Sequence, residues 1–331
     1  MNGLTFRAIL DSGDCAALAP VFQSRWPNYL RWYLSEGDRA RPTYAACARQ
    51  MKAHMPELVP AWERLTERLT ERLGKGAGGG DLVARFLSLW NPPAFISGCT
   101  QAVWTRERPA LIRNYDFPPE LRDATLLHSN FGGARAMAMS DCLWGVLDGI
   151  NEHGLAVSLA FGGRRSRGEG FGIAIVLRYI LETCETAAQA LKVLRRVPVH
   201  LPYNLAILDR AGDWRTIFIS PDREPEARRE PYSANRQNAN LRPEDTRVAD
   251  TVRREALLEN VMSNPNETKE RLLERFTEPP IYRPVGPGDW GTLYTACYRP
   301  ETRAVELRWP NTSWTQSISA FAPGERFVNY S

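Results

Sequence analysis

The stretch "FISGCTQAVWTRERPALIRNYDF", Phe95–Phe117, decides how the chain is read. A glycine precedes a cysteine, a short apolar run follows, and Arg106–Pro109 makes a turn. A second run then ends in Arg-Asn-Tyr-Asp. Two strand-like runs joined by such a turn read as a hairpin. Pairing them carries Arg113 and Asp116 back toward the cysteine. Arg113 would place positive charge near the sulfur and favour its anion. Asp116 would hold an ammonium group or orient a ligand. The plainer reading is a strand-end ion pair on the surface, contributing less than about 1 kcal/mol.

A cysteine nucleophile needs a base beside it. Four histidines are available, His54, His128, His153 and His200, and none stands in a motif that pairs with Cys99, although pairing in space stays open. A second solution is local. If the Gly98–Cys99 bond is cut, the α-amino group of Cys99, with a pKa of about 7.7–8.0, becomes the base at neutral pH. Gly98 is the small residue that lets the backbone bend for such a cut.

Around this hairpin the chain changes texture. Residues 1–98 read as a helical N-terminal segment. "PELVPAWERLTERLTERL" (Pro56–Leu73) spaces its apolar residues three and four apart. "WPNYLRWYLSEG" (Trp26–Gly37) ends at a glycine. "GKGAGGGD" (Gly74–Asp81) is a flexible loop. Asp81 caps a further helix that stops at Asn91-Pro92-Pro93. Residues 99–331 read as a second unit. Short strands come first ("ARAMAMS", "LWGVLDGI", "LAVSLAF"), then an amphipathic helix pair in which Thr186 caps the second helix and Pro198 ends it. "YNLAILD" and "RTIFIS" resume the strands, Pro221–Asp250 is a polar loop-rich stretch, "DTVRREALLENVM" is a helix, and "TLYTACYRP" with "AVELRWP" close as a hairpin. Blocks of strands between blocks of helices give an α+β protein with antiparallel sheets.

The 331 residues are 43% apolar and 24% charged, enough for a sizeable core. The net charge of +4 is spread out, with no Lys/Arg run longer than two, which argues against nucleic acid. Asp11 and Asp14 interrupt the first twenty residues, so no secretory leader is read there. No apolar run reaches the roughly 18–20 residues of a membrane helix. A soluble, cytoplasmic protein is expected. The six cysteines show no C-x-x-C spacing, and no His/carboxylate cluster suggests a metal. No metal and no cofactor are expected.

The segments "GCTQAVW…ALIRNYDF", "DGINEHGLAVSLAFGGR", "YNLAILDRAGDW", "YSANRQ" and "LYTACYRPETRAVELRW" occur in an order that resembles the acyl-coenzyme A:6-aminopenicillanic acid acyltransferase family. These are N-terminal-nucleophile hydrolases related to bile-salt (choloylglycine) hydrolases and acid ceramidases. The resemblance covers roughly Pro93–Trp314. It implies a four-layer αββα sandwich of two antiparallel sheets between helices. It also implies Cys99 as nucleophile, with Arg113 and Asp116 as its partners. The family's Thr-Asn-His-like segment, whose Asn amide helps bind the oxyanion, is matched by Asn235 within Ala234-Asn235-Arg236-Gln237. Leu159-Ala160-Phe161 stands where the bile-salt branch has Leu-Asn-aromatic, which leaves a backbone N–H to serve there. Arg254 in "TVRRE" resembles a Ser-x-x-Arg position near the active site and, with Tyr115, is a substrate-binding candidate.

Each of these residues has a plainer reading. Asn235 would be a turn residue, Arg254 an exposed helix arginine, and Tyr115, Trp144, Phe161, Phe171 and Trp290 core aromatics. "GGRRSRGEGFG" (Gly162–Gly172) reads as a mobile lid, or as a phosphate cradle for a coenzyme A tail. The expected partners are a small-molecule acyl substrate, with a coenzyme A thioester among the donors, and a second copy of the chain. After cleavage the N-terminal segment would stay bound. Three readings remain open: an amide hydrolase or acyltransferase working through Cys99, a non-catalytic binding member of the fold, and an uncleaved histidine-assisted hydrolase.

Overall fold

A computed structural model describes residues 3–74, 79–94, 96, 98–117, 123–237, 246–285 and 290–330, with the side chains of 246–249 set aside. The middle of the Gly74–Asp81 loop and residues 238–245 of the polar stretch lie outside the described residues. The chain opens with strand β1 (Gly3–Asp11). Helices α1 (Leu18–Tyr33), α2 (Tyr44–His54), α3 (Val59–Leu73) and α4 (Gly80–Ser88) follow. Strands β2 (Gly98–Trp104), β3 (Ala110–Phe117), β4 (Thr125–Ser129), β5 (Ala136–Asp141), β6 (Gly145–Asn151) and β7 (Ala156–Phe161) come next. Helices α5 (Ile173–Thr183) and α6 (Ala187–Arg196) precede β8 (Tyr203–Leu208), β9 (Trp214–Ser220), β10 (Arg223–Arg228) and β11 (Tyr232–Ser233). Helices α7 (Thr246–Ser263) and α8 (Lys269–Arg275) lead to β12 (Gly291–Arg299), β13 (Ala304–Trp309), β14 (Thr312–Ser317) and β15 (Gly324–Asn329).

Among the described residues the strands form two sheets. One has nine strands in the order β10-β9-β8-β7-β6-β5-β4-β1-β15, and the other has six in the order β11-β2-β3-β12-β13-β14. Their inner faces meet in an apolar core, and α5 packs on the outer face of the nine-stranded sheet. A second apolar cluster lies on the outer face of the six-stranded sheet. There Ala102, Trp104, Ala110 and Ile112 meet Leu258 of α7 and Leu272 and Leu273 of α8. Helices outside, two sheets inside: this is the expected αββα sandwich. The sheets are antiparallel except at β1 and β4, which run parallel.

The expectation of a helical segment over 1–98 is corrected at its start. β1 alternates buried Leu4, Phe6 and Ala8 with half-buried residues, the period of a strand covered on one face. It pairs antiparallel with β15 and parallel with β4, so it is an interior strand of the nine-stranded sheet. The rest of the segment is helical. α1 begins well before Trp26 and carries Pro27 in its interior. Phe22, Trp26, Tyr29 and Tyr33, spaced four, three and four apart, gather around Phe86 of α4 and hold the helix past that proline. α4 starts at Gly80, with Gly79 at its cap position and no side-chain cap, so Asp81 lies in its first turn rather than at its cap. Thr186 does cap α6, accepting from the Gln189 N–H at 3.3 Å.

Candidate active site around Cys99

β2 and β3 pair as the opening stretch suggests, with Gly98 opposite Asp116, Cys99 opposite Tyr115 and Gln101 opposite Arg113. Side chains alternate across a strand, so this register sorts the residues by face. Cys99, Gln101, Arg113 and Tyr115 point between the sheets. Gly98, Asn114 and Asp116 point toward the layer of α7 and α8, where the Asn114 amide donates to the Phe276 carbonyl at 2.7 Å.

On the inner face, Arg113 Nη2 donates to Cys99 Sγ at 3.2 Å. Its Nη1 pairs with Asp148 of β6 and lies 3.3 Å from the Tyr294 hydroxyl. Asp148 also accepts from Tyr294 at 2.6 Å and from Tyr298 at 2.5 Å. The guanidinium stands 4.8 Å over the Tyr115 ring. All of these side chains are buried. Burial works most strongly against the Arg113 cation, yet the Cys99 sulfur, Asp148 and Tyr294 hold it well above its ordinary pKa. A buried ion pair persists only when its hydrogen bonds are made, and here the two tyrosines complete the set.

On the nitrogen side, the Cys99 N–H donates to Asn235 Oδ1 at 2.9 Å, and Asn235 Nδ2 donates to the Phe161 carbonyl at 3.0 Å. The amide expected to meet an oxyanion is therefore bonded to protein. Arg254 is buried, which corrects the reading of an exposed helix arginine. Its Nη1 donates to the Cys99 carbonyl at 2.7 Å and to the Thr100 hydroxyl, and its Nη2 to Asn235 Oδ1 at 3.3 Å. Its Nε pairs with Asp250 at 2.8 Å. Asp116 lies on the opposite face from the sulfur. Its Oδ1 accepts from Thr292 at 2.8 Å, and its Oδ2 is buried with no hydrogen-bond partner among the described residues. Burial raises the Asp116 pKa, against the pull of Arg254. A Cβ on Gly98 would lie 3.1 Å from Asp116 Cβ and 3.5 Å from the Trp290 ring, so glycine suits this position.

Tyr115 lines the site beneath Arg113, and the remaining candidates lie elsewhere. Tyr115 is buried, its ring stacked on Phe117 and its hydroxyl without a partner among the described residues. His54 and His200 lie beside Phe171, His128 beside Phe321, and the His153 N–H donates to Asn151 in the β6–β7 turn. Burial lowers the pKa of His128, and that of His200 to about 4. The Gly162–Gly172 segment is tied down, which corrects the lid. Gly162, Gly168 and Gly170 donate to Pro202, His200 and Asn91 at 2.9, 3.1 and 2.8 Å. Two of its three arginines are already paired, Arg164 with Asp222 and Arg167 with Glu36, while Arg165 is exposed. Gly163, at φ +74°, would put a Cβ 2.2 Å from the Asn235 carbonyl oxygen. Close packing on the Asn235 loop requires glycine there.

Asp148, Tyr294, Tyr298, Thr292 and Glu255 were not singled out from sequence. Asp148 alone left a trace: a carboxylate inside the apolar strand "LWGVLDGI" demands a buried cation. Among the described residues, no group of three or more His, Cys, Asp or Glu is placed to hold a metal ion, and no helix is long and apolar enough to cross a membrane.

A profile of the family described as acyl-coenzyme A:6-aminopenicillanic acid acyl-transferase matches residues 104–314, more than half of the chain. The chain belongs to this family. It is accordingly an enzyme, of a family described by acyl transfer. The match includes Arg113, Asp116, Asn235 and Arg254 and begins just after Cys99. No curated protein matches the sequence. Among solved structures, a mutant conjugated bile acid hydrolase from Clostridium perfringens is similar at TM-score 0.46 and 11% identity, over 70% of this chain and 98% of that one. Penicillin V acylase from Agrobacterium tumefaciens is similar at 0.45 and 15%, over 67% and 86%. The Caenorhabditis elegans N-acylethanolamine-hydrolyzing acid amidase ortholog is similar at 0.41 and 16%, over 65% and 99%. At these scores the three add no argument of their own.

Proposed function

We propose that this family member is a cysteine-nucleophile amide hydrolase or acyltransferase activated by its own cleavage between Gly98 and Cys99. One observation carries the reading: Cys99 has a guanidinium at 3.2 Å from its sulfur and a side-chain carbonyl at 2.9 Å from its nitrogen. Burial pushes the other five thiols up, Cys15 to about 12 and Cys297 to about 11, as inert core sulfurs.

In the cut, Sγ attacks the Gly98 carbonyl carbon. A thioester forms as the C–N bond breaks, and the Cys99 nitrogen takes the thiol proton. Water then hydrolyses the thioester, leaving a Gly98 carboxylate and a free Cys99 amine. In turnover that amine takes the Sγ proton, and the thiolate attacks the substrate's acyl carbon. The departing amine (or thiol, from an acyl-thioester) receives the proton, and the acyl group stays on sulfur. Water or a second amine, deprotonated by the same base, removes it. Arg113 stabilises negative charge on sulfur, Asn235 orients the amine, and the unpartnered oxygen of Asp116 faces the strand end where an ammonium forms. The uncleaved, histidine-assisted alternative has a thiol of 0% exposure against it.

The test compares wild type and Cys99→Ala on acyl-amino acids, lactams, bile conjugates and acyl-thioesters, coenzyme A thioesters included. Cys99-dependent turnover by a cleaved chain supports the reading. A Cys99 thiol no more reactive than the other five, on an intact chain without turnover, favours the binding-member alternative.

A further inference from the structure

Behind Asn235 stands a second asparagine, Asn204 of β8, fully buried. Its Nδ2 donates to the Ala234 carbonyl at 2.7 Å and to the Arg236 carbonyl at 2.9 Å. These are the two peptide oxygens on either side of Asn235. Gln101, two residues beyond Cys99 on the same face, donates to the Asn204 carbonyl at 2.9 Å and to the Ser233 hydroxyl at 2.8 Å. The Ser158 hydroxyl in turn donates to Gln101 at 2.6 Å. From the outer side, Glu255 accepts from the Ala234 N–H at 3.0 Å and pairs with Arg236.

Asn235 lies just past the end of β11, with no ladder of its own to fix it. A loop side chain at 2.9 Å from the Cys99 nitrogen needs its neighbours held, and one amide gripping both flanking carbonyls does that. We propose that Asn204 is the positioning residue of the site. It sets Asn235 against the Cys99 nitrogen, and so governs both the cut at Gly98 and the efficiency of the freed amine as base. This rests on the reading of the preceding subsection.

Asn151 supplies a matched control. It is also a buried asparagine whose amide donates to two carbonyls, Leu181 at 3.0 Å and Cys184 at 2.7 Å, but at α5, away from Cys99. The experiment measures self-cleavage by intact mass, and kcat and KM across pH, per molecule titrated with a thiol-directed probe. The variants are Asn204→Ala, Asn204→Ser and Asn151→Ala. Asn204→Ala is expected to slow cleavage and to lower kcat about 100-fold, the scale of an ångström-sized misplacement. It should also displace the acid limb of the pH profile and leave KM unchanged. Asn204→Ser, which keeps one donor, falls between and carries the test if the alanine variant does not fold. Asn151→Ala loses melting temperature but keeps wild-type rates per titrated molecule. Wild-type rates and an unshifted profile in both Asn204 variants, with Cys99→Ala inactive, overturn this inference alone. Activity in Cys99→Ala overturns the underlying reading and this inference with it.

Discussion

Arg113 of β3 and Asp148 of β6 form a buried ion pair that bridges the two sheets, and the same guanidinium reaches the Cys99 sulfur. One side chain thus couples the packing of the sandwich to the charge at the Cys99 sulfur. Breaking such a pair by removing one partner leaves a charge stranded in the interior, at a cost of about 3–5 kcal/mol. Asp148→Ala is therefore expected to lower stability by that order, read from the midpoint of urea unfolding. Stability within 1 kcal/mol of wild type, about the worth of a surface pair, would mean the bridge is not what holds Arg113.

Gly98→Val places a side chain against Asp116 Cβ and the Trp290 ring. The strand end must then shift, and the Gly98–Cys99 peptide bond shifts with it. The expected result is an uncleaved chain by intact mass, with melting temperature little changed, whereas Gly98→Ala cleaves slowly.

Asp141 lines a small cavity between the sheets with Tyr115, Asp123 and Tyr294. Burial first, then the neighbouring Asp123, pushes its carboxyl up to about 8. Between about pH 4 and 8 the folded protein therefore keeps a proton that the unfolded chain has released. The unfolded state binds fewer protons, so stability falls as pH rises through that window, by up to about 1.4 kcal/mol per pH unit. Asp141→Asn is expected to flatten the slope. Denaturation midpoints at several pH values check it, and a variant as steep as wild type would exclude Asp141 as the source.

Because β1 lies between β4 and β15, the N-terminal chain should not leave after the cut. The two fragments are expected to co-elute in native buffer and to separate only in denaturant. Deleting residues 3–11 exposes two strand edges and is expected to give aggregated protein. Free exchange of the fragments at native pH would contradict this.

The Cys99–Arg113 proximity was legible because it is local: one hairpin, one turn, and side chains that alternate across it. Asp116 was legible as a neighbour of that strand end, but its face required the register, since Gly98 rather than Cys99 stands opposite it. Asp148, Tyr294, Tyr298 and Asn204 come from distant strands, and only the meeting of the two sheets brings them to the hairpin. β1 was hidden for a different reason. Its alternation is clear, but a strand that finds its partners at β4 and β15 gives no hairpin signal beside the helices that follow it. Gly163 and Gly170 are required by backbone packed against them, at Asn235 and Val199, which composition cannot distinguish from flexibility.

The most direct measurement is the intact mass of purified protein before and after brief exposure to a turned-over amide or thioester. The account expects two fragments that meet between residues 98 and 99, with the acyl mass added to the fragment that begins at Cys99. Turnover at full rate by a chain in which Gly98 is still joined to Cys99, or an acyl group carried on any other residue, would contradict it.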